Sequence, residues 1–252
     1  MRSRRDIGWW LAMTCTAMLW MMPCSAWSAE RARSVRVAVT RLDGLGLSQG
    51  VVENLAMLLR NSIATIPGFE VIAPAQIDIA LRNPRNRAVA SCGGGPDCMV
   101  KVGKLVGASR VVFGTIGALG QAYSLNLRLL DVGAGKELAR EQANVSGNRD
   151  LLIPEVRLAA FKLLAPERIR GALRIEIDAE GVQVEVDGVD AGTTPLRAPI
   201  EGLSPGEHVV RLRRPGYAEL QQTVVVRPFE TTRLKVALAE EGAPSSPSGG
   251  IP

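Results

Sequence analysis

Ser48 and His208 are the residues whose types and surroundings suggest catalysis. Residues 46–50 read Gly-Leu-Ser-Gln-Gly, which fits the pattern that carries the nucleophile of many serine hydrolases. Seven residues separate Thr40 from Ser48, too many for the sharp turn that exposes such a nucleophile, and the only histidine, His208, falls in a separate predicted domain. We therefore interpret Ser48 as a helix N-cap, predict no catalytic residue and no enzyme, and keep a serine hydrolase using Ser48 as the alternative.

Cys92 and Cys98 are the two cysteines outside the first 30 residues. The spacer between them, residues 93–97, is Gly-Gly-Gly-Pro-Asp, which is flexible enough to let the two sulfur atoms meet. An exported chain favours a disulfide, and two thiols with a distant single histidine cannot complete a four-ligand metal site. The sequence therefore predicts a Cys92–Cys98 disulfide and no metal.

The glycine-rich segments fail the requirements of a phosphate-binding loop. Gly103 and Lys104 fit its end, but Cys98 stands where the loop needs its first glycine, and Leu105 stands where a hydroxyl should hold magnesium. Residues 130–137 fail in the same way. We predict no nucleotide and no cofactor.

Arg82, Arg85 and Arg87 form a local basic cluster among asparagine and proline residues. A solvated loop explains such a cluster, because runs of three charges are common on protein surfaces. The sharper hypothesis is contact with an anionic envelope component, since the planar guanidinium suits phosphate and carboxylate groups. Both interpretations stay open at the level of the sequence.

The elements that position these residues alternate between strand and helix periodicity through residue 164. The predicted elements are a strand at 35–39, a helix at 48–66, a strand at 69–72, a helix at 74–81, a loop at 82–91, a helix at 96–107, three meandering strands at 110–116, 123–132 and 136–146, and a helix at 148–164. This order predicts an α/β domain with a mixed sheet.

The same order and apolar pattern resemble the amino-terminal domains of TolB and of the curli-secretion lipoprotein group. The resemblance is carried by residues 35–39, 68–72, 107–114 and 127–132, and it spans roughly residues 35–165. It implies a periplasmic binding or assembly domain and carries no catalytic motif.

Residues 171–238 follow a different pattern, with apolar and polar side chains alternating between closely spaced turns. Strands are predicted at 173–177, 182–187, 208–213, 223–227 and 234–238. The sequences at 186–188, 191–196, 204–210 and 214–217 resemble the PEGA family, although Arg-Pro-Gly-Tyr stands where that family has its eponymous motif. The resemblance implies a surface-exposed, extracytoplasmic and non-catalytic β-sandwich.

The first 29 residues have the composition of an export signal. Three arginines precede an apolar stretch at 7–22 and a segment of small residues, and all four tryptophans lie in this part of the chain. Cys15 and Cys24 follow Thr14 and Pro23, which argues against a lipidated cysteine. Sixteen apolar residues are short of the roughly 20 that span a bilayer, so we predict cleavage and keep an inner-membrane-anchored sensor or scaffold as the alternative.

Removal of residues 1–29 leaves 27 basic and 24 acidic residues and a net charge of +3, which is not the charge of a nucleic-acid-binding protein. We predict an α+β chain with a signal peptide at 1–29, an α/β domain at 30–168, a β-sandwich at 169–240 and a disordered tail at 241–252. Its expected function is binding or scaffolding in the bacterial envelope, in the periplasm or associated with the outer envelope. The expected partner is an envelope protein or a surface polysaccharide or lipid.

Overall fold

The fold described here is that of residues 34–241 in a computed structural model. The predicted signal peptide and nearly all of the predicted tail lie outside these residues. Within residues 34–241, no helix combines the length and the apolar character needed to cross a membrane.

A six-stranded mixed sheet forms the centre of the first region. Its strands are β1 (Val35–Val39), β2 (Asp43–Leu45), β3 (Phe69–Val71), β4 (Arg110–Leu119), β5 (Ala122–Asp131) and β6 (Lys136–Ser146). The order is β3-β1-β4-β5-β6, and β2 pairs with the second half of β4. Strands β1, β2 and β3 run parallel to their neighbours, whereas β4, β5 and β6 form an antiparallel meander. The predicted fold class is confirmed.

Helices cover the two faces of this sheet with separate cores. The helices are α1 (Gln49–Ala64), α2 (Pro74–Arg82), α3 (Arg87–Ala90), α4 (Pro96–Val106) and α5 (Leu152–Leu164). The apolar stripes of α1 and α5 pack on one face, where Leu59 and Leu127 are fully buried. Helices α2 and α4 pack on the other face, around Ala38 and Val111. Alternating strand residues therefore reach opposite cores, as a sheet buried on both sides requires.

One local prediction for this region is wrong, and one strand was not predicted. Residues 82–91 are not a plain loop, because a 3-10 turn at Pro84–Asn86 and helix α3 occupy most of the segment. The side chain of Asn83 accepts a hydrogen bond from Arg85 N (3.0 Å) and so caps this turn locally. Strand β2 was not predicted, because a three-residue strand leaves too short an alternation to recognise.

The second region contains two small sheets around one core. Its strands are β7 (Gly171–Glu176), β8 (Gln183–Val186), β9 (Val189–Thr193), β10 (Ile200–Leu203), β11 (Gly206–Arg213), β12 (Leu220–Val226) and β13 (Thr231–Lys235). They form the sheets β10-β7-β13 and β12-β11-β8-β9. The predicted all-β module is confirmed, but β9 and β10 lie between the strands predicted at 182–187 and 208–213, where no strand was predicted.

The chain passes between the two regions through Ala165 and Ile169, which are both buried. The rings of Phe161 on α5 and Phe229 in the β12–β13 turn lie 4.7 Å apart between centroids. The backbone N–H of Phe229 donates to Arg170 O over 2.8 Å. Within residues 34–241 the two regions cluster as one compact unit, so the predicted boundary at residue 168 remains a proposal.

Candidate functional site

The topology of the first sheet places a cleft at the carboxyl end of β1. Helix α1 leads from β1 to β3 over one face, and helices α2–α4 lead from β3 back past β1 to β4 over the other. Connections that leave in opposite directions open a crevice beyond the carboxyl ends of the strands, which is where open α/β sheets bind their ligands.

A bulge shapes the floor of this crevice. Val39 pairs with Val112 and Asp43 pairs with Thr115, so residues 40–42 lie opposite only two residues of β4. The extra residue breaks the regular alternation of side chains between the two faces. Leu42 enters the core with 3 % of its surface exposed, while Arg41 remains exposed and lines the crevice.

We call this crevice the β1 cleft and define it by the four residues that line both of its lobes, Thr40, Arg41, Ile77 and Asp78. The α1 lobe, of about 360 Å³, lies between the end of β1, helix α1 and the start of α2. The disulfide lobe, of about 460 Å³, lies between α2 and the segment 89–99. Both volumes fall in the range of small-ligand sites.

Four charged side chains line the α1 lobe without pairing with one another. Arg41, Glu53, Arg60 and Asp78 form no ion pair within residues 34–241. The carboxylate of Glu53 accepts a hydrogen bond from Gln49 Nε2 (2.8 Å). Arg60 is half-buried and the other three are exposed. Burial lowers the pKa of the Arg60 guanidinium, so its charge has lost part of its hydration.

Cys92 and Cys98 form a disulfide in the structure, with their Cα atoms 5.6 Å apart. This separation is usual for disulfides. Cys98 lies in the first turn of α4 and is buried, and Cys92 follows α3. Both cysteines line the disulfide lobe, so the bond fixes one wall of the β1 cleft. The oxidised state of the protein in its own compartment stays a prediction.

The basic cluster lies beside this wall. Arg82 ends α2, Arg85 lies in the 3-10 turn and Arg87 begins α3. All three are exposed, and none forms an ion pair within residues 34–241. Their contact with an anion stays a prediction, since an exposed arginine needs no partner.

Ser48 precedes the first turn of α1, as predicted, but its side chain makes no capping hydrogen bond. Its backbone carbonyl instead accepts from Val51 N (3.0 Å) and Val52 N (3.2 Å). Gly46 has a φ of 72°, and a Cβ atom there would collide with the carbonyl oxygen of Ala118. The first glycine of the pentapeptide is therefore explained by backbone conformation and close packing.

His208 lies on β11 of the second region and is 6 % exposed. Its Nδ1 lies 2.5 Å from a carboxylate oxygen of Asp187, and its Nε2 lies 2.7 Å from the carbonyl oxygen of Ser204. Both partners are hydrogen-bond acceptors, so this arrangement favours the imidazolium form, in which both ring nitrogens donate. Neither nitrogen is free to act as a base for Ser48.

The pKa directions agree with this assignment. Burial lowers the pKa of His208, but the hydrogen bonds to Ser204 and Asp187 outweigh it and raise the pKa above the usual 6.5. The backbone N–H of Val209 and the imidazolium of His208 lower the pKa of Asp187 below its ordinary value. The pair is a structural ion pair that ties the β8–β9 turn to β11.

Sequence reasoning missed Arg60 and the partners of His208. Arg60 stands beside the buried Leu59, and its position with Glu53 and Met57 at intervals of three and four residues places all three along one side of α1. This spacing could have indicated that Glu53, Met57 and Arg60 share one side of α1, outside its buried stripe. The approach of Ser204 to His208 depends on a loop conformation that no local pattern encodes.

The second region can be assigned to a family. Residues 170–241 match the PEGA domain family. This confirms the resemblance seen in the sequence, with bounds that differ from the predicted 169–240 by a single residue at each end. In the PEGA domain, the resemblance rests on turns that the structure contains, such as the β8–β9 turn, where Asp187 has a φ of 53°.

Solved structures similar to the chain include three bacterial proteins. The LpoB C-terminal domain from Salmonella enterica is 16% identical with a TM-score of 0.38, over 46% of this chain and 84% of that one. Lipoprotein GNA1162 from Neisseria meningitidis is 19% identical with a TM-score of 0.35, over 52% and 97%. TolB from Acinetobacter baumannii is 14% identical with a TM-score of 0.37, over 78% and 50%. No curated protein matches the chain in sequence.

Proposed function

We propose that the protein is an exported, non-catalytic binding or scaffold protein of the bacterial envelope. Its α/β domain is the binding unit, and its PEGA domain is a spacer or adhesion unit. The observation that carries this proposal is the β1 cleft, whose position at the divergence of the helical connections is the usual ligand site of an open α/β sheet.

The side chains around the cleft support binding over catalysis. A hydrolase would need a base beside Ser48, and the chain's single histidine donates both of its ring protons within the PEGA domain. The lining of the α1 lobe combines two charged groups of each sign with apolar side chains such as Val52 and Met57. A cleft that combines apolar lining with a small number of polar groups is typical of a binding site.

The export assignment is supported by two features. Residues 1–29 have the composition of a signal peptide, and a disulfide closes the wall of the cleft, which suits an oxidising compartment. Amino-terminal sequencing of the protein from the envelope fraction tests this assignment. A mature chain starting near residue 27 or 29 supports it, and a chain retaining Met1 supports the membrane-anchored alternative.

A position-specific crosslinking experiment in intact cells tests the binding unit. A photo-crosslinking amino acid replaces Met57, which lies at the α1 lobe and is 51 % exposed, and in a second strain it replaces Val225 of the PEGA domain, which is 56 % exposed. We expect a discrete crosslinked partner from position 57 and none of the same mass from position 225. Crosslinks confined to position 225 would assign binding to the PEGA domain.

A second experiment tests the absence of catalysis. Ser48→Ala and His208→Ala are assayed for esterase turnover and for complementation of a deletion strain, with thermal melting as the check on folding. We expect no turnover in the parent protein and full complementation by Ser48→Ala. Turnover that disappears with Ser48→Ala at an unchanged melting temperature would show that residues 46–50 are an active site.

A further inference from the structure

The α1 lobe contains a cation whose counter-ion is not among the described residues. Arg60 lies on α1 with its guanidinium partly withdrawn from water, and it forms neither a hydrogen bond nor an ion pair within residues 34–241. An anion that pairs with Arg60 would offset this partial loss of hydration, because desolvating a charge without a partner is unfavourable. The other arginine that lines this lobe, Arg41, is exposed. Pairing with an anion should therefore stabilise the charge of Arg60 more than that of Arg41.

The neighbouring charges restrict what that anion can be. The carboxylates of Glu53 and Asp78 line the same lobe and are exposed. They would repel a polyanionic chain or an anionic membrane surface, because like charges that face each other across an interface are unfavourable. A single carboxylate that reaches Arg60 between them avoids this repulsion.

The uncharged lining restricts the occupant further. Val52, Ala56 and Met57 of α1 face Leu42 and Ile77 across the lobe. Its volume of about 360 Å³ suits two or three side chains and not a folded element. An apolar side chain can therefore rest in the lobe beside the carboxylate that pairs with Arg60.

We propose that the α1 lobe of the β1 cleft binds an extended peptide segment of a partner protein that places a single aspartate or glutamate on Arg60 and a neighbouring aliphatic side chain against Val52 and Met57. This inference rests on the proposed binding function and names the chemistry of the partner. Arg41, at the rim of both lobes, offers a second guanidinium to the carboxylate or to a peptide carbonyl.

Protein purified from the periplasm of an expressing strain and labelled with ¹⁵N is titrated with the capped tripeptide acetyl-Leu-Asp-Leu-amide. The matched probe is acetyl-Leu-Asn-Leu-amide, which has the same shape without the charge. We expect saturable shifts of the Arg60 Nε–H signal and of the Thr40 and Arg41 amides, with binding of the Asn peptide weaker by about tenfold. Equal binding of the two probes, or shifts confined to other residues, would overturn the proposal.

Arg60→Gln should lower the affinity for the aspartate peptide by at least about tenfold. Arg60→Lys should lower it by less, because a lysine keeps the charge but lacks the planar guanidinium. Arg157→Gln on α5 is the matched control, since Arg157 is exposed and has no ion pair within residues 34–241. Retained affinity in Arg60→Gln contradicts the proposal. If Arg60→Gln does not fold, Arg60→Lys and the shift map of the parent protein decide.

Inorganic phosphate and vesicles of an anionic phospholipid serve as competing probes. If either probe bound more tightly than the aspartate peptide, the ligand of the lobe would be a phosphate group and the proposal would be overturned. The crosslink from position 57 separates this inference from the proposed function. A partner still captured by Arg60→Gln leaves the binding function standing and removes the role of Arg60, whereas a parent protein that captures none contradicts the binding function itself.

Discussion

Charged side chains are arranged in opposite ways in the two regions of the molecule. In the PEGA domain, Arg211 and Arg213 of β11 form ion pairs with Glu185 of β8 and with Glu219, at distances of 3.0 to 3.4 Å. In the β1 cleft of the α/β domain, two arginines and two carboxylates line one lobe without pairing. The difference is not one of composition, because both sets contain equal numbers of each sign.

Paired and unpaired charges serve different purposes. The PEGA network pairs its four charged side chains with one another and joins neighbouring strands, although ion pairs this exposed contribute little stability individually. The cleft keeps its charges apart and holds them on different elements, the end of β1, helix α1 and helix α2. The contrast supports the proposal that the α/β domain is the binding unit and that the PEGA domain is a spacer or adhesion unit. If the two regions are this separate, a change in one should leave the other unaffected.

The largest effect is expected from truncating each core in turn. Leu59 and Leu212 are both buried, with 0 % and 1 % of their surfaces exposed, in separate cores. We expect Leu59→Ala and Leu212→Ala each to lower the free energy of unfolding by about 2–5 kcal/mol. Hydrogen exchange measured by region should show lost protection only in the region that carries the substitution. Equal loss in both regions would show a single cooperative unit and break the comparison.

The disulfide should stabilise the α/β domain alone. Closing a loop of this length contributes about 2 kcal/mol in the chain-entropy model. We expect Cys92→Ala with Cys98→Ala to lower the free energy of unfolding by about that amount in urea, and the loss should be confined to the α/β domain. A reducing agent should lower the free energy of unfolding of the parent protein by the same amount and leave that of the double variant unchanged. Parent protein with two free thiols by mass, or insensitive to reduction, would contradict the prediction.

The pH dependence of stability should separate the regions as well. The raised pKa of His208 means that its contribution is complete below about pH 6.5 and is lost as the pH rises through the folded-state pKa. The lowered pKa of Asp187 means that its contribution is present above about pH 3.8 and is lost as the pH falls through its own folded-state pKa. The PEGA domain should therefore be most stable from about pH 4 to 6.5.

Asp187→Asn tests the source of that profile. Asp187 has a φ of 53°, which asparagine tolerates, so the substitution removes the charge and preserves the turn. We expect a loss of about 1–2 kcal/mol at pH 6 and a flatter profile toward pH 9, measured by urea unfolding of the PEGA domain. The α/β domain contains no histidine and serves as the internal control. An unchanged profile in the variant would assign the pH dependence to other groups.

The sequence predicted what repeats along the chain. The three-four spacing of Val52, Leu55 and Leu59 predicted α1, and the alternation of Val182, Val184 and Val186 predicted the strand that became β8. Strands β2, β9 and β10 were not predicted, because a strand of three to five residues between turns is too short to show a clear alternation. The short helical turns at 82–91 were predicted as a loop, because proline and asparagine residues are as common in loops as in such turns.

The site depended on contacts between distant segments. Cys92 and Cys98 could be paired from the predicted compartment and their spacing, since they are the only two cysteines outside the predicted export signal. Arg60 and Asp78 are 18 residues apart and share a lobe only because α1 and α2 meet beyond the end of β1. No local sequence pattern predicts that contact between α1 and α2. A switch point at the end of β1 could have been inferred from the strand order, which the alternation of elements alone does not fix.

The smallest effect is expected at the junction, where the rings of Phe161 and Phe229 join the two regions. An aromatic pair contributes about 0.5–1.5 kcal/mol, so Phe229→Ala should cost about 1 kcal/mol, read by thermal melting. Phe229 has a φ of 59°, which is unfavourable for a side chain, so Phe229→Gly removes the same ring while relieving the backbone. The glycine variant should therefore be more stable than the alanine variant. If both variants lower the protection of the two regions together by more than this, the junction couples them and the α/β domain does not bind independently of the PEGA domain.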